Sequence, residues 1–205
     1  MTDQGVILYG PPASGKDTIT GELAELDERF TLVPKLKAGT GRSTGYRMVT
    51  AAELETLRGM GRLVVETSRY GNVYAVDRHD IEAMTKAGRV PVVHMGNVAD
   101  LQRLRLSVPL EWTCVLLWAP REVCARRSRG RGDADRPARL RAWEETRADL
   151  AAHRDEAVFH LLIRTDETEP GRAARRIIDA VAEGPHRALP LSGLDHSSPA
   201  SRAIT

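Results

Sequence analysis

The nine-residue run Gly10-Pro11-Pro12-Ala13-Ser14-Gly15-Lys16-Asp17-Thr18 sets two glycines five apart with a lysine directly behind the second. It is entered from the apolar stretch Val6-Ile7-Leu8-Tyr9 and left through Ile19-Thr20-Gly21-Glu22-Leu23-Ala24-Glu25-Leu26, which has a helix-like pattern. A strand that turns through glycines into a helix is the first βα unit of an open α/β sheet. The glycines let backbone N–H groups of Gly10, Ala13, Ser14 and Gly15 converge on a polyphosphate, and the helix presents its positive end to the same place. Lys16 can then reach the β/γ-phosphates. A short glycine pattern alone is weak, but this one stands in the setting that the chemistry requires.

That loop predicts an ATP-dependent kinase. A hydroxyl normally follows the lysine to hold Mg²⁺; here Asp17 takes that place and Thr18 comes one step later. Both offer oxygen to a hard cation, so Asp17 and Thr18 are the candidate metal ligands and ATP with Mg²⁺ the expected cofactors.

A chain of 205 residues with 41% hydrophobic and 28% charged content can bury the core of one α/β domain, expected over 1–183. The formal net charge of +2 is too small to imply a polyanionic partner. Lysine occurs only at Lys16, Lys35, Lys37 and Lys86, so arginine supplies nearly all the positive charge, and its fork suits phosphate oxygens; a coding bias toward arginine gives the same composition. Cys114 and Cys124 suggest neither a disulfide framework nor a zinc site and are expected to be reduced and inert. The start of the chain lacks a signal-peptide pattern and no segment approaches a membrane span, which predicts a cytoplasmic protein with no membrane partner.

Along the chain, Phe30–Pro34 reads as a second strand opening into a polar, glycine-bearing substrate loop over Lys35–Gly45. Thr50-Ala51-Ala52-Glu53 is a capping-box pattern, heading a helix with Leu54 and Leu57 on one face that ends near Gly59 and Gly61. Strands are expected at 63–66 and 72–76, compatible with an antiparallel pair, and Asp77 as the cap of a helix running to Gly88. Val90–His94 and Thr113–Trp118 lack polar alternation, as strands of a buried parallel sheet do. Helices are expected over 121–129 and 137–154 around a Gly130–Asp133 break, a last strand over 160–163 and a last helix after Pro170. The stretch 184–205 reads as a loose tail.

In order of parts, the chain resembles the guanylate kinase-like family of P-loop kinases over about residues 5–182. The phosphate loop is followed by an acceptor loop at Lys35–Tyr46, a small sheet over Val64–Val76 and an arginine-rich lid at Arg127–Arg139. The resemblance implies a three-layer P-loop NTPase-type α/β fold with a central parallel sheet, an acceptor-binding insertion over 35–89 and a lid over 127–139. It implies Arg42, Tyr46 and Tyr74 as acceptor-phosphate ligands and, with a one-residue gap, Glu66 as the base-reading carboxylate. An arginine that the family places before the acceptor loop falls on Gly39, a guanine-reading serine on Val76 and a core-strand aspartate on His94. Lys35 and Lys37 stand where they can replace the lost charge. Asp17 after the lysine and the apolar residue after the Tyr74 pair resemble instead the ribose 1,5-bisphosphate phosphokinase branch, which lacks the Glu at position 66.

The expected chemistry is transfer of the γ-phosphoryl of ATP to a small phosphorylated acceptor, with Lys16 on the donor and Arg127, Arg131 and Arg139 closing as a lid. The acceptor is a nucleoside monophosphate or, alternatively, a ribose phosphate, with Lys35, Lys37, Arg42, Tyr46, Glu66, Tyr74 and His94 as its candidate contacts. His94 and Glu66 also read as satisfied core or sheet-end polar groups, and Tyr74 as a packing residue. Two rival functions stay open: a non-catalytic binding module of the same fold, which would not need the intact Gly15-Lys16 pair, and nucleic-acid binding through Arg121–Arg141. Interspersed Glu122, Asp133, Asp135, Glu144 and Glu145 speak against the second, so no nucleic-acid partner is expected. Assembly as a homodimer is compatible with the sequence and not specified by it.

Overall fold

The computed structural model of this chain describes residues 3–41, 43–69, 71–130, 136–184 and 188–190. Strand β1 (Gln4–Tyr9) runs into the glycine turn and helix α1 (Lys16–Leu26) leaves it. There follow β2 (Phe30–Leu32), β3 (Lys35–Ala38), β4 (Tyr46–Met48), α2 (Ala51–Gly59), β5 (Leu63–Arg69), β6 (Asn72–Asp77) and α3 (Arg78–Lys86). The second half comprises β7 (Val90–Met95), α4 (Val98–Ser107), β8 (Glu111–Trp118), α5 (Arg121–Gly130) and α6 (Arg136–Ala152). It closes with β9 (Ala157–Phe159), β10 (Leu161–Arg164), α7 (Pro170–Glu183) and β11 (Leu189–Pro190).

Five strands in the order β10-β8-β1-β7-β2 pair in parallel to make the central sheet. Successive β1 side chains point to opposite faces. Val6 and Leu8 pack with Ile19 and Leu23 of α1 and Ile177 of α7, whereas Ile7 and Tyr9 join the cluster of Leu101 and Leu104 of α4 and Trp143 of α6. Both faces are therefore covered, which gives the expected three layers and explains why these strands carry no polar alternation. Each fully buried large apolar side chain contributes about 1.5–3 kcal/mol.

A second sheet, ordered β4-β3-β6-β5, stands beside the first. Its β5–β6 and β3–β6 pairs are antiparallel and its β3–β4 pair parallel. The capping box forms as expected: Thr50 Oγ1 accepts from Glu53 N at 3.1 Å and Glu53 Oε2 from Thr50 N at 2.7 Å. Asp77 caps α3 by accepting from His79 N at 3.0 Å.

Four features differ from the sequence expectation. Lys35–Ala38 is a strand where a polar loop was expected and Tyr46–Met48 a further one beyond that loop, because pairing of β3 with β6 and of β4 with β3 overrides the polar composition. Helix α4 is an additional element, capped by Asn97, whose side chain accepts from Asp100 N. His160 precedes the last central strand instead of opening it, and its Nδ1 accepts from Cys114 N at 2.8 Å. Within the expected tail, Leu189–Pro190 pairs antiparallel with β9. Cys114 and Cys124 are free and buried, and burial raises their thiols to about 12 and about 11, as inert cysteines require. Among the described residues, no helix is long and apolar enough to cross a membrane.

Candidate functional site

The carboxyl ends of β1 and β7 and the inner face of the second sheet enclose one cavity of about 660 Å³. This volume is in the range of sites for small molecules. Its floor is the glycine loop. Gly15 has φ 99°, a left-handed conformation that glycine adopts without strain, and Ala13 has φ 63°. Lys16 Nζ donates to the carbonyl oxygens of Gly10 at 2.6 Å and Pro11 at 2.9 Å. Burial, opposed by Asp17 and aided by Lys35, lowers its pKa to about 8. The Ser14 hydroxyl is fully buried and has no hydrogen-bond partner among the described residues.

Behind the lysine, Thr20 Oγ1 donates to Lys16 O at 2.8 Å and lies 2.8 Å from His94 Nε2. With its one proton on Lys16 O, the Thr20 hydroxyl accepts from His94, which places the imidazole proton on Nε2. Burial, then the charges of Lys16 and Lys35, hold the His94 pKa well below the ordinary imidazole value, so the ring is neutral. Its bare Nδ1 faces Asp17 Oδ1 at 3.7 Å. Two acceptors facing each other suit a shared cation or donor. Among the described residues no group of three or more His, Cys, Asp or Glu side chains could hold a metal by itself. A metal arriving with a nucleotide fits this site if Asp17 supplies one oxygen and phosphates and water the rest. Thr18 is exposed and does not line the cavity.

On the wall formed by the second sheet, Lys37 is buried, donates to Thr40 O at 2.6 Å and lies 5.6 Å and 5.8 Å from the ring centroids of Tyr46 and Tyr74. Those rings are tilted against each other at 5.3 Å. The pairing of Lys37 with Tyr74 across β3–β6, and of Lys35 with Tyr46 across β3–β4, is what gathers them. All four line the cavity, so Tyr74 is a wall residue and not core. Gly39 cannot be an arginine here, since a Cβ on it would collide with the Asn72 side chain, whose Oδ1 accepts from Thr40 N at 2.7 Å.

Glu66 is not brought to the cavity. Alternation along β5 turns Thr67 and Arg69 inward and Glu66 outward, where it accepts from Arg58 at 2.7 Å. An irregularity between Leu63 and Val65 sets that phase. Val76 lies in the apolar core. Arg127 is a clamp: its guanidinium donates to Ala13 O at 3.2 Å, Thr165 Oγ1 at 3.1 Å and Thr165 O at 2.6 Å, tying the glycine loop to the segment after β10. Arg139 lines the cavity. Arg42 and Arg131 lie outside the described residues.

Sequence reasoning missed Thr67, Arg69, Asn97 and Asp100, all on the cavity wall. Asp100 accepts from Thr67 Oγ1 and Asn97 Nδ2, each at 2.6 Å, and from Arg103 at 3.2 Å. The Asn97-x-x-Asp100 spacing before Leu101 and Leu104 is a helix-start signal that could have located two of them. Nothing in the sequence marks the β5 irregularity that selects Thr67 and Arg69.

The fold is similar to that of guanylate kinase from Anaplasma phagocytophilum, with a TM-score of 0.64 at 16% identity over 89% of this chain and 86% of that one. Shikimate kinase from Acinetobacter baumannii, in complex with shikimate, aligns over 89% of this chain and 94% of its own at 18% identity and a TM-score of 0.45. No family model matches the sequence, and no curated protein does. The overall fold of this chain is thus shared with that guanylate kinase.

Proposed function

We propose that the chain is an ATP-dependent phosphotransferase that moves the γ-phosphoryl group to a small phosphorylated acceptor. The observation that carries this reading is a single cavity shared by the Lys16 loop and the Lys37–Tyr46–Tyr74 cradle. An oxygen of the acceptor phosphate attacks Pγ, the new P–O bond forms as the bond to the bridging oxygen breaks, and ADP leaves with the electron pair. A phosphate monoester is largely dianionic above its second pKa of about 6, so its oxygen attacks without a general base. The residues then have alignment and charge neutralisation to supply.

Lys16 leaves its own loop carbonyls for the β/γ-phosphates, while the Ser14 and Gly15 amides complete the cradle. Asp17, oriented opposite His94, would hold Mg²⁺ together with phosphate oxygens, and that ion would neutralise charge as ADP departs. Lys37, Tyr46 and Tyr74 hold the acceptor phosphate, and Arg127 keeps the donor loop in shape. Arg139, at the end of the expected lid, borders the transfer space.

The related fold carries the name guanylate kinase, but Glu66 and Val76 stand away from the cavity here, and this favours a sugar phosphate over a guanine nucleotide as acceptor. A coupled ADP-release screen with Mg²⁺ and ATP against the nucleoside monophosphates and ribose 1,5-bisphosphate tests the reading. Acceptor-dependent ADP release that Lys16→Met abolishes supports it; acceptor-independent or absent release with all of them counts against it.

A further inference from the structure

The pleat of β7 decides which face of the sheet each of its side chains joins. Val92 packs with Ile19 and Leu23 of α1, whereas Val93 and Met95 belong to the cluster on the other face. His94, in phase with Val92, therefore stands over α1. On that helix Asp17 and Thr20 are three residues apart and share one face. Strand and helix together bring the imidazole against both, a meeting that the glycine-loop motif, which ends at Thr18, does not contain.

Thr20 fixes the ring. Its hydroxyl proton is given to Lys16 O at 2.8 Å, so its oxygen accepts from His94 Nε2 at 2.8 Å. The lone pair of Nδ1 is thereby aimed toward Asp17 Oδ1, 3.7 Å away, too far for a hydrogen bond between them. An imidazole that donates one nitrogen to a fixed oxygen and presents the other to a carboxylate is arranged as a metal-ligating histidine is. Two neighbouring ligands of one octahedral ion stand roughly 3 Å apart. Asp17 is 62% exposed, and a small turn of its side chain closes the difference. Both residues line the cavity that Lys16 lines. Magnesium takes oxygen ligands, whereas first-row transition cations also bind imidazole nitrogen well. Among the described residues no third His, Cys, Asp or Glu joins the pair, so phosphate oxygens and water must fill the remaining positions.

We propose that His94 Nδ1 and Asp17 Oδ1 form a nitrogen–oxygen ligand pair that selects a first-row transition cation such as Mn²⁺ over Mg²⁺ as the metal that accompanies the nucleotide, with Thr20 as the positioning residue. The proposal rests on the phosphotransfer reading and names the class of metal ion on its donor side. With only two protein atoms to hold it, the cation binds tightly only together with the triphosphate.

The test is electron paramagnetic resonance of the full chain, carrying isotope-labelled histidine, with Mn²⁺ and AMP-PNP; the label separates histidine from the nitrogens of the analogue. Wild type is expected to show coupling of Mn²⁺ to a labelled nitrogen, and His94→Gln to lose it. Titration followed by the signal of free Mn²⁺ is expected to give a Kd raised about tenfold in His94→Gln, while the Mg²⁺ Kd, measured by competition, changes by less than about twofold. Thr20→Val, which leaves His94 in place, is expected to raise the Mn²⁺ Kd about tenfold as well, and Thr20→Ser, which keeps the hydroxyl, to match wild type within about twofold. The Thr20 pair decides the question where His94→Gln fails to fold. Bound Mn²⁺ with no histidine coupling, coupling that survives His94→Gln, equal weakening of Mn²⁺ and Mg²⁺, or a Thr20→Val protein with the wild-type Kd overturns the proposal and leaves the phosphotransfer reading standing. A wild-type chain that takes up no AMP-PNP with either metal overturns both.

Discussion

Lys16 Nζ donates to Gly10 O at 2.6 Å, so the cation of the glycine loop is bonded to the loop's own backbone. On the proposed function, binding a triphosphate would exchange these carbonyls for phosphate oxygens, a change from neutral to charged acceptors that favours the bound position. The lysine is thus pre-placed and unspent.

Replacing Lys16 by Met removes that exchange and leaves the Gly10 and Pro11 carbonyls beside the open cavity, where water can reach them. ADP release with any active acceptor is expected to fall by at least about 100-fold in kcat/KM, the scale of losing one charged donor to the transferring group. The far-ultraviolet circular dichroism spectrum is expected to match wild type. Normal turnover in a folded Lys16→Met protein would remove the loop from the chemistry.

Arg127 holds three oxygens of two loops through a planar fork, a geometry that an ammonium group cannot copy. Its substitution acts on the donor side. Arg127→Lys is expected to raise the ATP KM about tenfold and leave the acceptor KM within about twofold. A rise confined to the acceptor KM would mean that Arg127 leaves this clamp during turnover and behaves as the lid residue that the sequence suggested.

Glu66 faces away from the cavity and is tied to Arg58, so its charge cannot read an acceptor from where it stands. Glu66→Gln is expected to change kcat/KM for every acceptor by less than about twofold, since an exposed ion pair contributes little. Steady-state kinetics over a panel of nucleotides and sugar phosphates checks this. Selective loss of activity toward one nucleobase would place Glu66 back in the site.

The contrast between Lys16 and Glu66 shows what the sequence made legible. The glycine loop, β1, α1, the capping box at Thr50 and the Asp77 cap depend on residues adjacent in the chain, and local patterns encode them fully. The cavity wall depends on strand phase. One irregularity between Leu63 and Val65 decides whether Glu66 or its neighbours Thr67 and Arg69 point inward, and no residue type announces it. Lys35 and Lys37 looked like loop residues because their polarity conceals a strand, which only pairing with β6 and β4 reveals. The clamp role of Arg127 needed Thr165, which lies 38 positions away.

Asp77 ties the second sheet together. Its buried carboxylate accepts from Arg62 and from Arg47 at 2.9 Å, besides capping α3. Burial by itself would raise its pKa; the hydrogen bonds from Arg62, the His79 amide and Arg47, with the charge of Arg62, outweigh that and bring it below the ordinary aspartate value. A carboxyl depressed on folding stabilises the native state above its unfolded pKa of about 3.9, and that stabilisation fades as pH falls through the lower native value. Both arginines are partly exposed and can rehydrate when the carboxylate is removed. Asp77→Asn is therefore expected to lower the unfolding free energy at pH 7 by about 2 kcal/mol, near the middle of the range for hydrogen bonds to charged groups. The gap to wild type should begin to narrow below about pH 5 and shrink further toward pH 3. Urea denaturation across that range is the measurement, and a gap that stays constant with pH would show that the Asp77 charge does not hold the sheet.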